Sequence, residues 1–541
     1  MNTIKLVSAL CGAGKSWSLQ QWIISNPDQK IIISVPTIAL SNQYFNSLST
    51  SLDIHSVYLI NSESKKTNIN KLNLNSSENY IDSELNVKAS ILATIDLVNI
   101  HKKGVLIISQ QAFETLPLFN LISEWTIAID EMFDLYKIKQ LTIPFFIHTL
   151  LKYIKIDPSF DNDGVYKLIP KTNKSISKFL NIPNDDALSL IKDIIIDLDN
   201  KDDIFVNKTN WDNTINKIFD KGSKPISLEF ITCKSPEKYS HFKDVIFLGA
   251  HLEYCPVFKY WNTYYNIETE QFSNIYNKIP SKFHTNGDLV NIYYIFDGNY
   301  TKALRNTKIL GTMSIGQMMH TIFETFFEDE KQFLYVTNSD DTKYIKNAFP
   351  LNVKSHGMNS YDHFSNFGFN CSLNRSRVVN YIIESLNFIS KEDLSDWELY
   401  NVCYQGACRT SIRTVETKTP VNILVTCKSI ADGFTIDFPD CKIEKLECTL
   451  FNSDNLKTLR ENEEKSKQHK LDKINNRKHK KKLTDAINKD KLQIKHDKRL
   501  AKMKELLDKG LTINVVKNKM GIKLLPTHIQ KWFDETIKTL K

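Results

Sequence analysis

Residues 3–22 read TIKLVSALCGAGKSWSLQQW. Residues 3–10 are a short apolar run with the character of a buried strand, and they end in a glycine-rich turn. Residues 17–24 resume with helical spacing. A strand, a glycine loop and a helix in that order make a cradle for phosphate. Glycines let backbone N–H groups approach phosphate oxygens, and the helix start adds the positive end of its dipole. In Ala9-Leu10-Cys11-Gly12-Ala13-Gly14-Lys15-Ser16, the loop Cys11, Gly12, Ala13 and Gly14 supplies the cradle. Lys15 would reach the β- and γ-phosphates, and the Ser16 hydroxyl would hold Mg²⁺. The strict phosphate-loop pattern has Gly in its first position, where this chain has Ala9.

Working outward, residues 30–35 (KIIISV) are a continuous β-branched run, and 105–109 (VLIIS) and 125–129 (WTIAI) are two more buried-strand runs, as expected of parallel strands buried on both faces. Residues 38–48 have helical spacing. The alternation predicts an α/β fold, a parallel sheet covered by helices on both sides. The third run delivers Asp130 and Glu131 at its C-terminal end, where an open parallel sheet binds ligands. Asp130 would hold Mg²⁺ through water, and Glu131 would orient and deprotonate an attacking water. A second alternating unit begins near residue 289. Its strands are 290–296, 333–337 and 421–426, with helices over 313–328 and 378–389. Residues 150–235, rich in Asn, Asp, Lys and Ser, read as an insertion of mixed helix and loop, and 245–249 returns to the strand pattern.

These segments sum to a domain plan. A first α/β domain covers 1–149, with its last strand in 236–253, and the inserted subdomain occupies 150–235. A linker region spans 254–288, and a second α/β domain spans 289–450. A basic helical linker (451–500) and a small helical domain (501–541) complete the chain.

The composition is that of a globular chain, with 41% hydrophobic and 24% charged residues among 541. No apolar run approaches the ~20 residues that cross a bilayer, and the first residues lack the layout of a signal peptide. Nine cysteines are scattered with no C-x-x-C pair, so neither a disulfide framework nor a zinc site is expected. A reducing compartment follows: cytoplasm, nucleoid or nucleus, not secretion and not a membrane. The net charge of +8 sits in one place. Residues 457–509 carry 19 Lys and Arg against 9 Asp and Glu, whereas the rest of the chain holds 51 against 53.

The phosphate loop and Asp130-Glu131 together resemble the superfamily 2 (DEAD-like) helicases, and further motifs extend the resemblance. Pro36-Thr37-Ile38-Ala39-Leu40-Ser41-Asn42-Gln43 is similar to motif Ia, so Pro36, Thr37 and Gln43 would touch a nucleic-acid backbone. Ser109 and Gln110 stand where the family has a Thr-His pair after a strand, and are also assigned to nucleic acid. Gly249-Ala250-His251 resembles motif III. Ser355-His356-Gly357-Met358-Asn359 resembles motif V, with His356 at a position the family usually gives to Arg; Gly357 and Asn359 would face the nucleotide. Gln405-Gly406-Ala407-Cys408-Arg409-Thr410-Ser411-Ile412-Arg413 resembles motif VI, with its second arginine one residue farther on than in the common form. Arg409 and Arg413 are spaced to share one helix face. Either guanidinium would stabilise charge on the transferring γ-phosphoryl group, Arg413 being the first choice.

The resemblance implies two RecA-like domains with ATP or another NTP and Mg²⁺ between them. It also implies a helicase or translocase of the viral or plasmid replication type, acting with replication or repair proteins. Only eight residues precede Ala9, so a glutamine motif upstream is not expected and base specificity stays open. The basic stretch containing Lys478, Lys480, Lys481 and Lys482 would bind phosphates in a salt-sensitive way. Residues 498–537 have a helix-turn-helix pattern that resembles the small DNA-binding domains of resolvases and transposases. Thr527, His528, Gln530 and Lys531 would lie on its reading face. That favours DNA, single-stranded or duplex, with RNA as the alternative. Two other readings remain: a packaging- or restriction-type translocase that does not unwind, and a DNA-binding initiator or regulator with an NTP switch.

Overall fold

The structure, a computed structural model, describes residues 3–53, 56–61, 87–116, 122–143, 147–172, 189–217, 226–281, 284–309, 313–328, 332–338, 345–353, 361–373, 375–414 and 417–448, with scattered positions between 498 and 515. The chain forms two compact units, Met1–Phe451 and Asn452–Lys541. Of the second unit, the described positions include helical residues at 504–506, with Lys509 paired to Glu505 one turn earlier. The basic stretch with Lys478, Lys480, Lys481 and Lys482, the reading-face residues Thr527, His528, Gln530 and Lys531, and the motif V residues Gly357 and Asn359 lie outside the described residues.

The first unit is α/β, with two parallel sheets of the RecA-like kind. The first sheet takes β1 (Thr3–Ser8), β2 (Lys30–Val35), β3 (Val57–Ile60), β4 (Gly104–Ser109) and β5 (Thr126–Asp130). After an insertion, β11 (Asp244–Gly249) and β12 (Glu268–Gln271) complete it in the order β12-β1-β11-β5-β2-β4-β3, all pairs parallel. Every residue of β2 is buried, and the reason is the pleat. Ile31, Ile33 and Val35 pack against Leu19, Trp22, Leu40 and Tyr44 on one face, while Ile32 joins Ile91, Ile95 and Val98 on the other. The segment read as a linker, 254–288, contributes to this half. Residues Pro256–Tyr265 are a helix, and β12 pairs with β1. The aromatic run hid the helix because Phe258, Tyr260 and Trp261 are all buried, leaving little polar contrast.

The insertion carries expected helices, Ser189–Asp199 and Lys208–Lys217, but is built on a sheet that was not expected. That sheet is antiparallel, β6 (Tyr136–Ile143), β7 (Ile154–Ile156), β8 (Val165–Pro170), β9 (Asp203–Asn207) and β10 (Ile226–Cys233), in the order β6-β10-β9-β8-β7. It begins at Tyr136, fourteen residues earlier than the expected boundary and shortly after the acidic pair. Its strands are short and alternate, as in YKIKQLTI, and they are spaced by polar loops, so no long apolar run marks them.

The second parallel sheet comprises β13 (Val290–Phe296), β16 (Phe333–Thr337), β17 (Ala348–Leu351), β18 (Asn366–Asn370), β19 (Val421–Cys427) and β20 (Lys442–Lys445). Their order is β17-β16-β18-β19-β13-β20, and Lys308–Ile309 and Met313–Ser314 (β14, β15) form a separate two-stranded ladder. The predicted helices appear as Ile315–Phe326 and Arg377–Leu386. The helix Lys391–Ala407 was not foreseen. The Ser390 hydroxyl accepts the Asp393 N–H at its start, and Glu392 and Asp393 complement its dipole. Among the described residues, no helix is long and apolar enough to cross a membrane.

Candidate active site

Strand β1 ends at Ser8, and the loop that follows turns on two glycines with positive φ, Gly12 at 80° and Gly14 at 88°. Gly14 caps the helix Lys15–Ile24 from the left-handed region, a conformation that costs other residues free energy. The Ala9 N–H is held by the Gly249 carbonyl at 3.0 Å, which ties the loop to β11. Ala13, within the loop, is buried. Lys15 is 8% exposed, and its Nζ donates to the carbonyls of Ala9 (2.7 Å) and Leu10 (2.9 Å). These bonds hold the ammonium in the loop's own mouth.

Strand β5 brings Asp130 beside that loop. Ser16 Oγ donates to Asp130 Oδ2 at 2.7 Å, and the Tyr44 hydroxyl donates to the same oxygen at 2.6 Å. Burial pushes the Asp130 carboxyl above the usual carboxylate range, and the neighbouring Glu131 charge adds to the rise. Burial likewise pushes the Tyr44 hydroxyl far up, with the Asp130 charge second. Glu131 adopts φ 75°, an uncommon value for a side-chain-bearing residue, and its N–H donates to the Leu248 carbonyl at 2.9 Å. Gln110 Nε2 donates to the Glu131 carbonyl at 2.7 Å. A hydroxyl and a carboxylate oxygen, adjacent and hard, are a donor set that suits Mg²⁺, which takes one or two protein oxygens and otherwise water or phosphate. The residues present fit that ion.

The second sheet supplies the opposite wall. Gln405, in the last turn of Lys391–Ala407, points its Nε2 at Glu131 Oε2 (3.4 Å), and Arg409 Nη2 reaches Gln405 Oε1 (3.4 Å). The expectation that Arg409 and Arg413 share one helix face is corrected. The helix stops at Ala407, whose carbonyl accepts both the N–H and the hydroxyl of Thr410. Arg413 ends a separate 3-10 turn, Ser411–Arg413. Both arginines still reach the same place. A Cβ built on Gly12 would lie 2.8 Å from the Arg413 carbonyl oxygen and 2.9 Å from its Cγ, so Arg413 rests on the loop itself. Burial and the charge of Arg409 lower the Arg413 guanidinium from its ordinary value.

Cys11, Gly12, Gly14, Lys15, Ser16, Asp130, Glu131, Arg409 and Arg413 therefore line one cavity of about 190 Å³, together with Trp17, Leu40 and Gln43. Glu131 and Gln405 also border a second cavity of about 600 Å³ between the sheets, near Gly249 and Ala250.

The residues read as nucleic-acid contacts fall differently. Gln43 lines the phosphate-loop cavity. Thr37 caps the helix Ile38–Ser51, Pro36 is half-buried beside it, and Ser109 caps Gln110–Thr115. Gln110 braces the acidic pair from behind. Residues with no sequence signal complete the site. The Tyr404 hydroxyl accepts the Cys11 N–H at 2.9 Å and meets His284 Nε2 at 2.9 Å. Burial lowers the His284 imidazole to about 4. The Cys11 thiol is lowered to about 7, chiefly by its hydrogen bond with Cys408. Tyr44, His284 and Tyr404 become visible only where distant segments meet in space, since no sequence motif marks them.

No family model matches the chain, and no curated protein matches it. Among solved structures, XPD in its apo form aligns at 12% identity and TM-score 0.41, covering 82% of this chain and 97% of that one. Xpd4 of S. tokodaii aligns at 10% identity and TM-score 0.38, covering 82% and 96%. Dbp5 of S. cerevisiae, bound to RNA and ADP BeF3, aligns at 10% identity and TM-score 0.31, covering 85% and 88%. With TM-scores this low, the functional reading rests on the chain's own residues.

Proposed function

We propose that the chain is a nucleic-acid-stimulated NTPase, a helicase or translocase of superfamily 2 type. One observation carries the reading: Lys15, Ser16, Asp130 and Glu131 from the first sheet share a cavity with Arg409 and Arg413 from the second. A phosphate loop alone binds nucleotide; a loop facing two guanidiniums has the parts to transfer a phosphoryl group. The loop N–H groups and Lys15 would hold the β- and γ-phosphates. Ser16 and Asp130 would hold Mg²⁺, which neutralises phosphate charge when bound. The Glu131 carboxylate would accept a proton from the attacking water, with Gln405 fixing its direction. Arg413, lying on Gly12, and Arg409 behind it would offset charge that grows on the γ-phosphoryl oxygens.

The site needs both sheets, so nucleotide state would bias how the two halves meet, and nucleic acid bound across them would be moved. The domain plan is kept with two changes: the insertion starts at β6, and the first motor half extends through β12. DNA is the preferred partner, through the basic stretch around Lys478 and Lys480–Lys482 and the helical end bearing Thr527, His528, Gln530 and Lys531. Phosphate release measured with single-stranded DNA, duplex DNA and RNA as separate stimulants tests the reading. Stimulation by at least one of them is expected, and a basal rate unchanged by all three would overturn it. Stimulation by RNA alone would reverse the preference for DNA.

A further inference from the structure

We propose that Trp17 is the platform on which the base of the bound nucleoside triphosphate stacks. The inference rests on reading the phosphate-loop cavity as the nucleotide site. Trp17 stands two residues after Lys15 on the first turn of the helix Lys15–Ile24. Its neighbours Ser18, Leu19, Trp22 and Ile23 turn into the core. Trp17 turns outward and is 50% exposed, the one tryptophan among the exposed large apolar side chains of the described residues. A lone exposed apolar side chain is ordinary on a protein surface; what sets this indole apart is its place at the cavity. Here it borders the same cavity as Gly14, Lys15 and Ser16.

The placement constrains the occupant. The loop and Lys15 fix where phosphates lie, so whatever reaches Trp17 is attached to a phosphate chain. A flat aromatic face recognises another flat face, and of the parts of a nucleotide only the base has one. Gln43, exposed on the helix Ile38–Ser51, lines the cavity as well, and its amide offers both donors and an acceptor. An amide on a rotatable stem can answer the edge of any base. The recognised class is therefore nucleoside triphosphates without a strict base requirement, with purines favoured for their larger stacking area.

The test compares wild type, Trp17→Ala, Trp17→Phe and Lys15→Ala in the full chain. Steady-state hydrolysis is measured with ATP, GTP, CTP and UTP, and inorganic tripolyphosphate serves as a competitive inhibitor. Trp17→Ala is expected to raise KM about ten-fold for ATP and GTP and less for CTP and UTP, with kcat little changed. Trp17→Phe is expected to restore most of the loss. The inhibition constant of tripolyphosphate, which has no base, is expected to stay the same. An unchanged KM for all four nucleotides, or an equal weakening of tripolyphosphate, would overturn the platform while leaving the phosphate site standing. Full hydrolysis by Lys15→Ala would overturn the site, and the platform with it.

Discussion

Gly12 and Arg413, near opposite ends of the first unit's sequence, are in contact, and that contact makes individual side chains decisive. Gly12→Ala adds a Cβ where the Arg413 carbonyl oxygen stands 2.8 Å away, at a backbone φ of 80°. The left-handed conformation costs a non-glycine residue about 1–3 kcal/mol before any clash is counted. The variant is expected to melt at a lower temperature and to lose hydrolysis, because the loop and the guanidinium shift together; thermal melts beside phosphate release check this. Lys15→Ala is expected to slow hydrolysis about a hundred-fold or more, as loss of a charge-stabilising donor does. At this scale the sequence was informative about residues in one continuous motif. The acidic pair and the loop were legible because each is a strand end with fixed chemistry. The helical pairing of Arg409 and Arg413 was not, since their spacing of four is also met by a helix end followed by a 3-10 turn. Nor was Gln110, whose amide braces Glu131 instead of facing outward.

Among the elements, the helix Lys391–Ala407 does most to build the composite site, because its last turn carries Gln405. It lies close on the second sheet only because Gly406 lets it: a Cβ there would be 2.6 Å from the Phe367 ring. Gly406→Val is expected to cost about 1–3 kcal/mol by overpacking, and to lower kcat more than it weakens nucleotide binding. Melts and single-turnover hydrolysis separate the two effects. A fully active variant would show that the helix position is not critical. Neither this helix nor β18 was read from sequence. The helix buries Leu394 early and then little until Cys403, so its apolar residues form no continuous stripe. Strand β18 is NFGFN, all five residues buried, yet Asn and Gly are poor strand formers and gave no signal. The first-sheet strands, with runs such as KIIISV, carried the clearest one.

Across the first unit, the two sheets are joined by more than the candidate site. His251 Nε2 meets Asp437 Oδ1 at 2.8 Å, linking the end of β11 to the helix Lys428–Asp437, and the Tyr400 hydroxyl also holds Asp437. Burial alone would lower the His251 imidazole. The hydrogen bond and charge of Asp437 more than offset it, with Cys11 and Glu253 adding, so the net shift is upward. A raised histidine stabilises fully below its unfolded value, about pH 6.5, and the contribution fades as pH rises through the folded value. Thermal stability is thus expected to fall as pH rises above about 6.5, and His251→Gln is expected to flatten that slope. An identical slope in the variant would remove the pair from the explanation.

The insertion adds a second tie. Ser376 Oγ donates to Glu229 at 2.6 Å, and Val379 and Ile382 pack with Val165 and Phe205. This tie was invisible in sequence because it joins an unread sheet to a helix some 150 residues later. The central claim is that one hydrolytic site is shared by two sheets, and Arg413→Ala addresses it most directly. Nucleotide binding and single-turnover hydrolysis are measured on the same preparation. Binding close to wild type with hydrolysis about a thousand-fold slower is the expected result. Hydrolysis at the wild-type rate would mean that the second sheet contributes no guanidinium to the chemistry.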